Sequence, residues 1–243
     1  GLMEITDFAE GQQWAITEGA HSALTERIAT HKPTADEISA YAGAVDDGEE
    51  DYQVINGVAI IPISGPISRG PSFFSWLFGG TNIQTINELL SLALNDYKVK
   101  AILFNINSPG GTVPGVDALS QAIFEIQDQK PCVAFADGVM CSAAYWIGSA
   151  ASLIVADKTA HIGSIGVLCE HQDLSKADEM AGVKRTYLAA GKYKLMGNDV
   201  EPLGAEARQM YQGLPDQTYS VFVDAVARNR DASVEDVLAN MAD

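Results

Sequence analysis

The sequence is short of positive charge. Its 243 residues contain 15 Lys and Arg against 32 Asp and Glu, which gives a net charge of −17. The few basic residues are scattered and form no run. Because proteins bind a phosphate backbone through a basic patch, this composition argues against nucleic acid and against an anionic membrane surface as partners.

Cysteine and long apolar runs are also scarce. The three cysteines, Cys132, Cys141 and Cys169, form no C-x-x-C pair, so we expect reduced thiols in a cytosol-like compartment. No run approaches the roughly 18–20 apolar residues of a membrane span. The N-terminus lacks the basic and apolar regions of a signal peptide. The sequence therefore predicts a soluble protein without a membrane span.

The composition changes early in the chain. Thr34–Glu37 has the pattern of a capping box, which predicts the start of a short helix. Residues 43–51 then form an acidic, glycine-containing linker. We predict an N-terminal helical appendage with this linker over residues 1–52, and a main domain over residues 53–243 with C-terminal helices in 203–243.

Short apolar runs alternate with amphipathic segments along the main domain. The apolar runs predict buried strands, and apolar residues spaced three or four positions apart predict helices. This alternation implies an α/β fold, in which helices cover a mostly parallel sheet. The predicted strands cover residues 57–63, 99–106, 131–136, 153–156 and 183–188, and the predicted helices cover 81–97, 114–126, 142–151, 173–181, 203–229 and a last helix that a capping box opens at Ser233–Asp236.

Two local features stand apart from this alternation. Pro215 lies inside a helical pattern, and we expect it to break or kink the helix. Residues 67–80 are irregular and apolar, most of all in Phe73–Phe78. Exposure of such a segment to water is unfavourable, so we expect it to pack on a neighbouring subunit or to line a substrate groove.

The stretch Asp137–Ala151 joins a predicted strand to a predicted helix through a turn that carries one hydroxyl group, that of Ser142. Such a turn exposes the oxygen, and the N-terminus of the following helix offers free N–H groups to a developing oxyanion. Ser142 is therefore a candidate nucleophile, and the N–H of Ala143 is a candidate oxyanion donor. The alternative is a serine that only caps the helix.

Asn107–Gly111 follows the end of another predicted strand, which is where ligands bind in open α/β sheets. Paired glycines let the backbone direct N–H groups into a cleft, because no side chain stands in the way. Gly110, or its neighbour Gly111, is thus a second candidate oxyanion donor. An ordinary turn would use the same residues.

A serine nucleophile needs a base, and the sequence offers two kinds. His161 or His171 would complete a triad with Asp173. Lys194 would serve instead if its surroundings kept the amine neutral, and it lies in a glycine-bracketed loop beside apolar residues. For each of these side chains the alternative is an ordinary structural or solvated role.

Five sequence blocks resemble, in the same order, the signal peptide peptidase A (protease IV) family of serine peptidases, whose fold is similar to those of ClpP and the crotonases. Five ordered blocks are far more specific than any one motif. The blocks are GVAIIPISGPI (57–67), NSPGG (107–111), ADGVMCSAAYWIGSAA (136–151), GSIGV (163–167) and GVKRTYLAAGKYKLMG (182–197).

The resemblance implies a ClpP/crotonase-like fold of repeated ββα units and a catalytic Ser-Lys dyad. It assigns Ser142 as the nucleophile and Lys194 as the general base. It further assigns Gly110 and Ala143 to the oxyanion hole, and it gives Ser164 the role of orienting the lysine amine. It implies no metal and no cofactor.

In this mechanism a neutral lysine takes the serine proton, and the alkoxide attacks the peptide carbonyl while two N–H groups hold the oxyanion. Two neighbouring residues suit the motif less well. Lys192 lies two positions away from the family's lysine, and Cys141 lies one residue before its hydroxyl.

Within the family, the layout of the chain is similar to the head maturation proteases of tailed phages. The shared features are the N-terminal appendage, the acidic linker and the lead-in Tyr52–Gly57. We therefore predict a homo-oligomeric serine endopeptidase that cuts capsid scaffold or portal proteins, in the host cytoplasm or inside the procapsid. Family members usually continue past this C-terminus, so we expect a truncated or self-cleaved chain.

Other functions remain open from the sequence alone. One is a cellular protease IV-like enzyme that degrades signal peptides or other peptides. Another is a crotonase-type acyl-CoA enzyme, although such an enzyme needs basic residues for the phosphates of the coenzyme and this chain has few. The last is a non-catalytic scaffold in which Ser142 only caps a helix.

Overall fold

The computed structural model describes residues 12–31, 34, 36–37, 40–41, 52–70, 76–77 and 79–242. The predicted acidic linker and most of the apolar stretch Phe73–Phe78 lie outside these residues. The predicted capping box is confirmed: the backbone N–H of Thr34 donates to Glu37 Oε2 at 2.8 Å, and the N–H of Glu37 donates to Thr34 Oγ1 at 3.2 Å.

Two sheets and the helices around them form the described part of the chain. The strands are β1 Gln13–Ile16, β2 Gln53–Ile55, β3 Val58–Ser64, β4 Ile67–Ser68, β5 Thr81–Asn82, β6 Ala101–Ser108, β7 Gly110–Thr112, β8 Cys132–Cys141, β9 Leu153–Ala156, β10 His161–Gly163 and β11 Leu168–Cys169. The helices are α1 Glu18–Thr30, α2 Ile83–Asn95, α3 Val116–Glu125, α4 Ala143–Gly148, α5 Ser175–Ala181, α6 Ala205–Arg230 and α7 Val234–Asn240.

The larger sheet has the order β10-β8-β6-β3-β2, and β9 also pairs with β8. Its pairings are parallel except that of β2 with β3. The apolar runs that predicted β3, β6 and β8 are buried, as Ile61, Phe104 and Ala134 show with no exposed surface, whereas the run that predicted β9 is largely exposed. The predicted α/β fold, with a mostly parallel sheet covered by helices, is confirmed.

Several predicted element boundaries need correction. β8 continues to Cys141, five residues beyond the predicted end, and the helix predicted over 142–151 is limited to α4. Of the break or kink predicted at Pro215, the break is wrong, because α6 continues through this residue, and the kink stays a prediction. The last helix begins as predicted, with the Ser233 hydroxyl accepting from the N–H of Asp236 at 3.0 Å.

The strand predicted over residues 183–188 is wrong. This segment has no regular secondary structure. Its side chains are held by polar contacts instead: Arg185 forms ion pairs with Asp178 and Asp199, and the Tyr187 hydroxyl donates to Asp199 Oδ1 at 3.0 Å. Alternating polarity here reflects this polar cluster rather than pairing with a sheet edge.

The smaller sheet has the order β11-β1-β7-β4-β5. β1 belongs to the segment that the sequence predicts as an N-terminal appendage, yet it lies between two strands of the main domain. It is antiparallel to both β7 and β11. The boundary predicted at residue 52 stays a prediction, since the short strand alone does not define a domain.

The centre of the smaller sheet depends on two glycines. A Cβ atom on Gly110 would overlap with the carbonyl oxygen of Ala15, and one on Gly111 would overlap with backbone atoms of Ile67. Gly110 also has a φ of 101°, a conformation that favours glycine. The glycine pair is therefore required by the close approach of β1 and β4 to β7.

We expect Gly111→Ala to lower the free energy of unfolding by at least about 2 kcal/mol, because backbone atoms cannot move aside as a flexible side chain can. The measurement is denaturant unfolding. The control is Gly213→Ala within α6, where a Cβ would meet nothing within 4 Å; there alanine should stabilise the helix by up to about 1 kcal/mol. A wild-type unfolding midpoint for Gly111→Ala would contradict this account of the sheet.

Candidate active site

Ser142 lies at the sharp turn between β8 and α4. Its φ of 57° and ψ of −121° are values that residues with a side chain rarely adopt. Such a conformation costs on the order of 1–3 kcal/mol and persists only when its surroundings enforce it. Here the backbone N–H of Ser142 donates to the carbonyl of Gly163 at 2.7 Å, which holds the turn against β10.

The hydroxyl of Ser142 faces the loop that follows β10. The residue is 1% exposed, and its Oγ donates to the carbonyl oxygen of Gly166 at 3.4 Å. Ser164, between these contacts, also has a positive φ, of 53°. Two serines with strained backbone angles thus lie close together, one in the turn after β8 and one in the loop after β10. Backbone strain of this kind is concentrated at functional sites.

Strand pairing brings the glycine pair to the same end of the sheet. Ser108 of β6 pairs with Met140 of β8, two residues before Ser142, and Gly110 follows Ser108 by two residues. The N–H of Gly110 donates to Ser108 Oγ at 3.2 Å. Ala143 is the first residue of α4, so its N–H has no acceptor within the helix.

α4 is fixed by apolar and polar contacts with its neighbours. The ring of Trp146 stacks on that of Phe222 with centroids 4.4 Å apart. At the other end, Asn229 Nδ2 donates to Ser120 Oγ at 3.1 Å and to Ser149 Oγ at 2.9 Å. The helix that follows Ser142 therefore has little freedom to move, which keeps the N–H groups of its first turn in place.

Lys194 is not brought to Ser142 within the chain. Its side chain is exposed, and in the described part of the chain its amine has no hydrogen bond or ion pair with Ser142 or any other residue. Its backbone N–H donates to the carbonyl of Gly191 at 3.2 Å. The amine of Lys192 contacts Tyr193 Oη at 3.0 Å and Glu206 at 3.7 Å.

A partly exposed polar cluster around the buried Asp199 holds the segment that carries Lys194. Arg185 Nε donates to Asp178 Oδ2 at 2.7 Å, and its Nη1 donates to Asp199. Burial raises the pKa of Asp199, but hydrogen bonds from Arg185 and Tyr187 outweigh it and keep the pKa below its ordinary value. The two carboxylates raise the pKa of the Arg185 guanidinium. The cluster stays ionised at neutral pH and ties Asp199 to Arg185, on either side of Lys194.

The histidine alternatives have other contacts. His171 Nε2 lies 3.1 Å from the carbonyl oxygen of Asn198, and His161 is exposed on β10. Asp173 accepts from the N–H of Ser175 at 3.0 Å and so caps α5. Burial raises the pKa of the Cys141 thiol, which keeps the thiol protonated and unsuited to nucleophilic attack.

The described residues contain no group of three or more His, Cys, Asp or Glu side chains that could hold a metal ion. No helix among them is both long enough and apolar enough to span a bilayer.

Three parts of the site were missed from the sequence. The Gly166 carbonyl accepts a hydrogen bond from the Ser142 hydroxyl, and β1 pairs with β7 beside Gly110. The Arg185–Asp199 ion pair holds the loop that carries Lys194, called the lysine loop below. The GSIGV block, which contains Gly166, was the sequence signal for the contact with Ser142. The pattern in β1 is too short to be distinctive, and the cluster joins residues that are 14 positions apart.

Several known proteins are similar to this chain. Residues 125–243 match the profile of Peptidase family S49. The chain is 33% identical over 222 residues to the capsid assembly protease C of Escherichia phage lambda, which covers 89% of this chain and 51% of that protein. It is 34% identical over 191 residues to the head-tail preconnector protein GP5 of Enterobacteria phage P21, which covers 79% of this chain and 38% of that protein.

A plant protein extends the comparison beyond phages. The chain is 30% identical over 179 residues to the chloroplastic serine protease SPPA of Arabidopsis thaliana, covering 73% of this chain and 26% of that protein. Among solved structures, a mutant of the 1510-N membrane-bound stomatin-specific protease aligns with a TM-score of 0.40 at 16% identity over 75% of this chain and 68% of that one.

These matches confirm the resemblance predicted from the sequence: residues 125–243 match Peptidase family S49, and the similar proteins include the plant serine protease SPPA. Phage capsid assembly and preconnector proteins are also among the relatives that the chain resembles. The chain spans about half or less of the length of these curated relatives.

The strain at Ser142 predicts a difference between two substitutions that both remove the hydroxyl. Ser142→Gly should be more stable than Ser142→Ala by about 1 kcal/mol, because glycine adopts a positive φ at little cost. The free energies of unfolding of the two variants measure this difference. Equal stabilities would mean that the turn is not strained in solution.

Proposed function

We propose that the protein is a serine endopeptidase with Ser142 as its nucleophile and Lys194 as its general base. The observation that carries the proposal is the strained turn at Ser142, whose hydroxyl faces the Gly163–Gly166 loop at the start of a helix. A serine that only caps a helix needs no positive φ, since ordinary N-cap residues adopt extended backbone angles. The match to Peptidase family S49 supports the same conclusion.

The proposed reaction begins when the neutral amine of Lys194 takes the proton of the Ser142 hydroxyl. The oxygen attacks the carbonyl carbon of the peptide. The N–H of Ala143 stabilises the resulting oxyanion, together with the N–H of Gly110, which must leave Ser108 Oγ to do so. The lysine ammonium then donates its proton to the leaving amine. Water attacks the acyl-enzyme, and the same base assists its hydrolysis. Ser164 orients the amine in this proposal.

The base would come from a neighbouring copy of the chain. Ser142 is buried, whereas Lys194 is exposed and has no partner in the described part of its own chain. The braced loop that carries Lys194 is therefore available to a second subunit. A head-to-tail arrangement would place each lysine at the next subunit's serine and would close into a ring.

The proposed substrates are proteins of capsid assembly, such as scaffold or portal-associated proteins, which would place the enzyme inside the procapsid. The support is the similarity to relatives that are named for capsid assembly and for the head-tail preconnector. A peptide-degrading role in a cell is the second candidate, and the similarity to the plant serine protease supports it.

We expect Ser142→Ala and Lys194→Ala each to lower the rate of cleavage of a denatured protein by at least about a thousandfold, since residues that act as a unit fail together. Lys192→Ala is the matched control, because it removes a neighbouring amine of the same loop and should keep activity. A variant Lys194→Ala that cuts at the wild-type rate would exclude this residue as the base.

A shared site predicts that two inactive variants restore each other. If Ser142→Ala and Lys194→Ala chains are mixed in equal amounts and reassembled, about a quarter of neighbouring pairs unite an intact serine with an intact lysine. Cleavage should therefore return to about that fraction of the wild-type rate. A mixture as inactive as its components would mean that both residues must belong to one chain.

A further inference from the structure

β1 occupies an unusual place in the smaller sheet. It is antiparallel to β7 on one side, with Ile16 opposite Gly110, and antiparallel to β11 on the other, with Trp14 opposite Leu168. Its residues Trp14, Ala15 and Ile16 are no more than 5% exposed. β1 thus fills the space between β7, which contains the glycine pair, and β11, which follows the GSIGV loop.

The C-terminal end of β1 lies on the side of the nucleophile. Gln13 pairs with Cys169 and Trp14 with Leu168, so β1 runs antiparallel to β11, toward the loop that precedes β11. In that loop, the Gly166 carbonyl accepts the hydrogen bond from Ser142 Oγ. On the other side of β1, Ile16 pairs with Gly110.

Without β1, the edges of β7 and β11 would face each other across the gap of a single strand. Neighbouring strands lie about 4.8 Å apart, so this gap is roughly 10 Å wide and accepts one extended peptide with hydrogen bonds on both sides. A protein substrate that reaches Ser142 as an extended strand needs the same gap. The strand and such a substrate cannot be bound at once.

Besides its pairing with β7 and β11, β1 has hydrogen bonds at both ends. The Gln13 side chain accepts a hydrogen bond from the Thr218 hydroxyl, and the N–H of Thr17 donates to the carbonyl of Pro109 at 3.0 Å.

The helix after β1 adds a second anchor. The ring of Trp14 packs edge-on against His21 of α1, with centroids 5.2 Å apart. His21 Nδ1 lies 3.6 Å from Glu170 Oε2, just beyond β11. His21 thus contacts Trp14 within the gap and Glu170 at its edge. These contacts hold α1 against β1 and against the end of β11.

We infer that residues 13–16 are a built-in occupant of the substrate gap, which keeps the proposed peptidase closed until this strand leaves. The expected effect on peptide cleavage rests on the proposed function, whereas the occupancy of the gap by β1 does not. Because the strand is attached to the chain, its effective concentration at the gap is high, and a free substrate must compete with it.

A reversible lock tests the inference directly. Gln13→Cys places a thiol opposite the native Cys169, and directly opposite positions of an antiparallel pair are close enough for a disulfide. Oxidation should fix β1 in the gap and lower peptide cleavage at least tenfold, and reduction should restore it. Cleavage by the oxidised chain at the rate of the reduced chain would overturn the inference.

Gln13→Ser, taken through the same oxidation and reduction, is the matched control and should show no change. The labelling of Ser142 by a serine-directed phosphonate provides a second readout of access. It should slow upon oxidation of Gln13→Cys and recover upon reduction.

Peptide binding separates this inference from the proposed function. A fluorescent peptide with the sequence of residues 12–18 should bind the Ala15→Pro chain at least tenfold more tightly than wild type, because proline weakens the pairing of β1 and frees the gap. His21→Ala loosens the α1 anchor independently and should act in the same direction. Binding without any cleavage would refute the proposed function alone, whereas equal binding by wild type and both variants would refute the occupancy of the gap.

Discussion

The hydrogen bond from the backbone N–H of Ser142 to the carbonyl of Gly163 is the constraint on which the site depends. It continues the parallel pairing of β8 with β10 one residue past the last strand position, so the chain must turn sharply while it is still attached to the sheet. The positive φ of Ser142 follows from this attachment. The same bond brings the next loop over the hydroxyl, where Gly166 accepts it. Backbone pairing, rather than side-chain contacts, thus fixes the nucleophile.

Different kinds of interaction hold the two residues of the proposed dyad in place. The turn at Ser142 belongs to the apolar core, since α4 packs through Trp146 on Phe222 and is almost completely buried. The loop of Lys194 has hardly any buried apolar surface, and charged contacts around Asp199 hold it instead. Acid weakens only the second: as the pH falls through the lowered pKa of Asp199, the carboxylate is protonated and its contribution to stability, present above the pKa of the unfolded chain, is lost. A fall in pH is therefore expected to destabilise the lysine loop more than the turn that carries Ser142.

Much of the larger sheet could be predicted from the sequence, because buried parallel strands are continuous apolar runs and the helices that cover them repeat every three or four residues. The turn at Ser142 followed from the small residues between such elements. β1 could not be predicted, since four residues carry too little periodicity, and its partners are about 100 and 155 positions away along the chain. The strand predicted over 183–188 failed because a pattern of alternating polarity does not reveal whether a sheet edge is available. The residues alone left Lys194 and two histidines as candidate bases, and only the resemblance chose between them; the exposed position of Lys194 could not be predicted, because local sequence does not encode how a loop packs on distant elements.

The proline within α6 divides that helix into two parts of unequal stability. Pro215 has no N–H, so the carbonyl of Tyr211 lacks its helical partner. Beyond the proline, Phe222 and its neighbours are anchored in the core. Before it, the helix lies against β11 and contacts the loop that carries Lys194, where the Tyr211 hydroxyl donates to the Met196 carbonyl at 3.4 Å. The first part can therefore unfold locally together with that loop while the rest of the domain remains intact, and its amide hydrogens should exchange with solvent well before those of the second part.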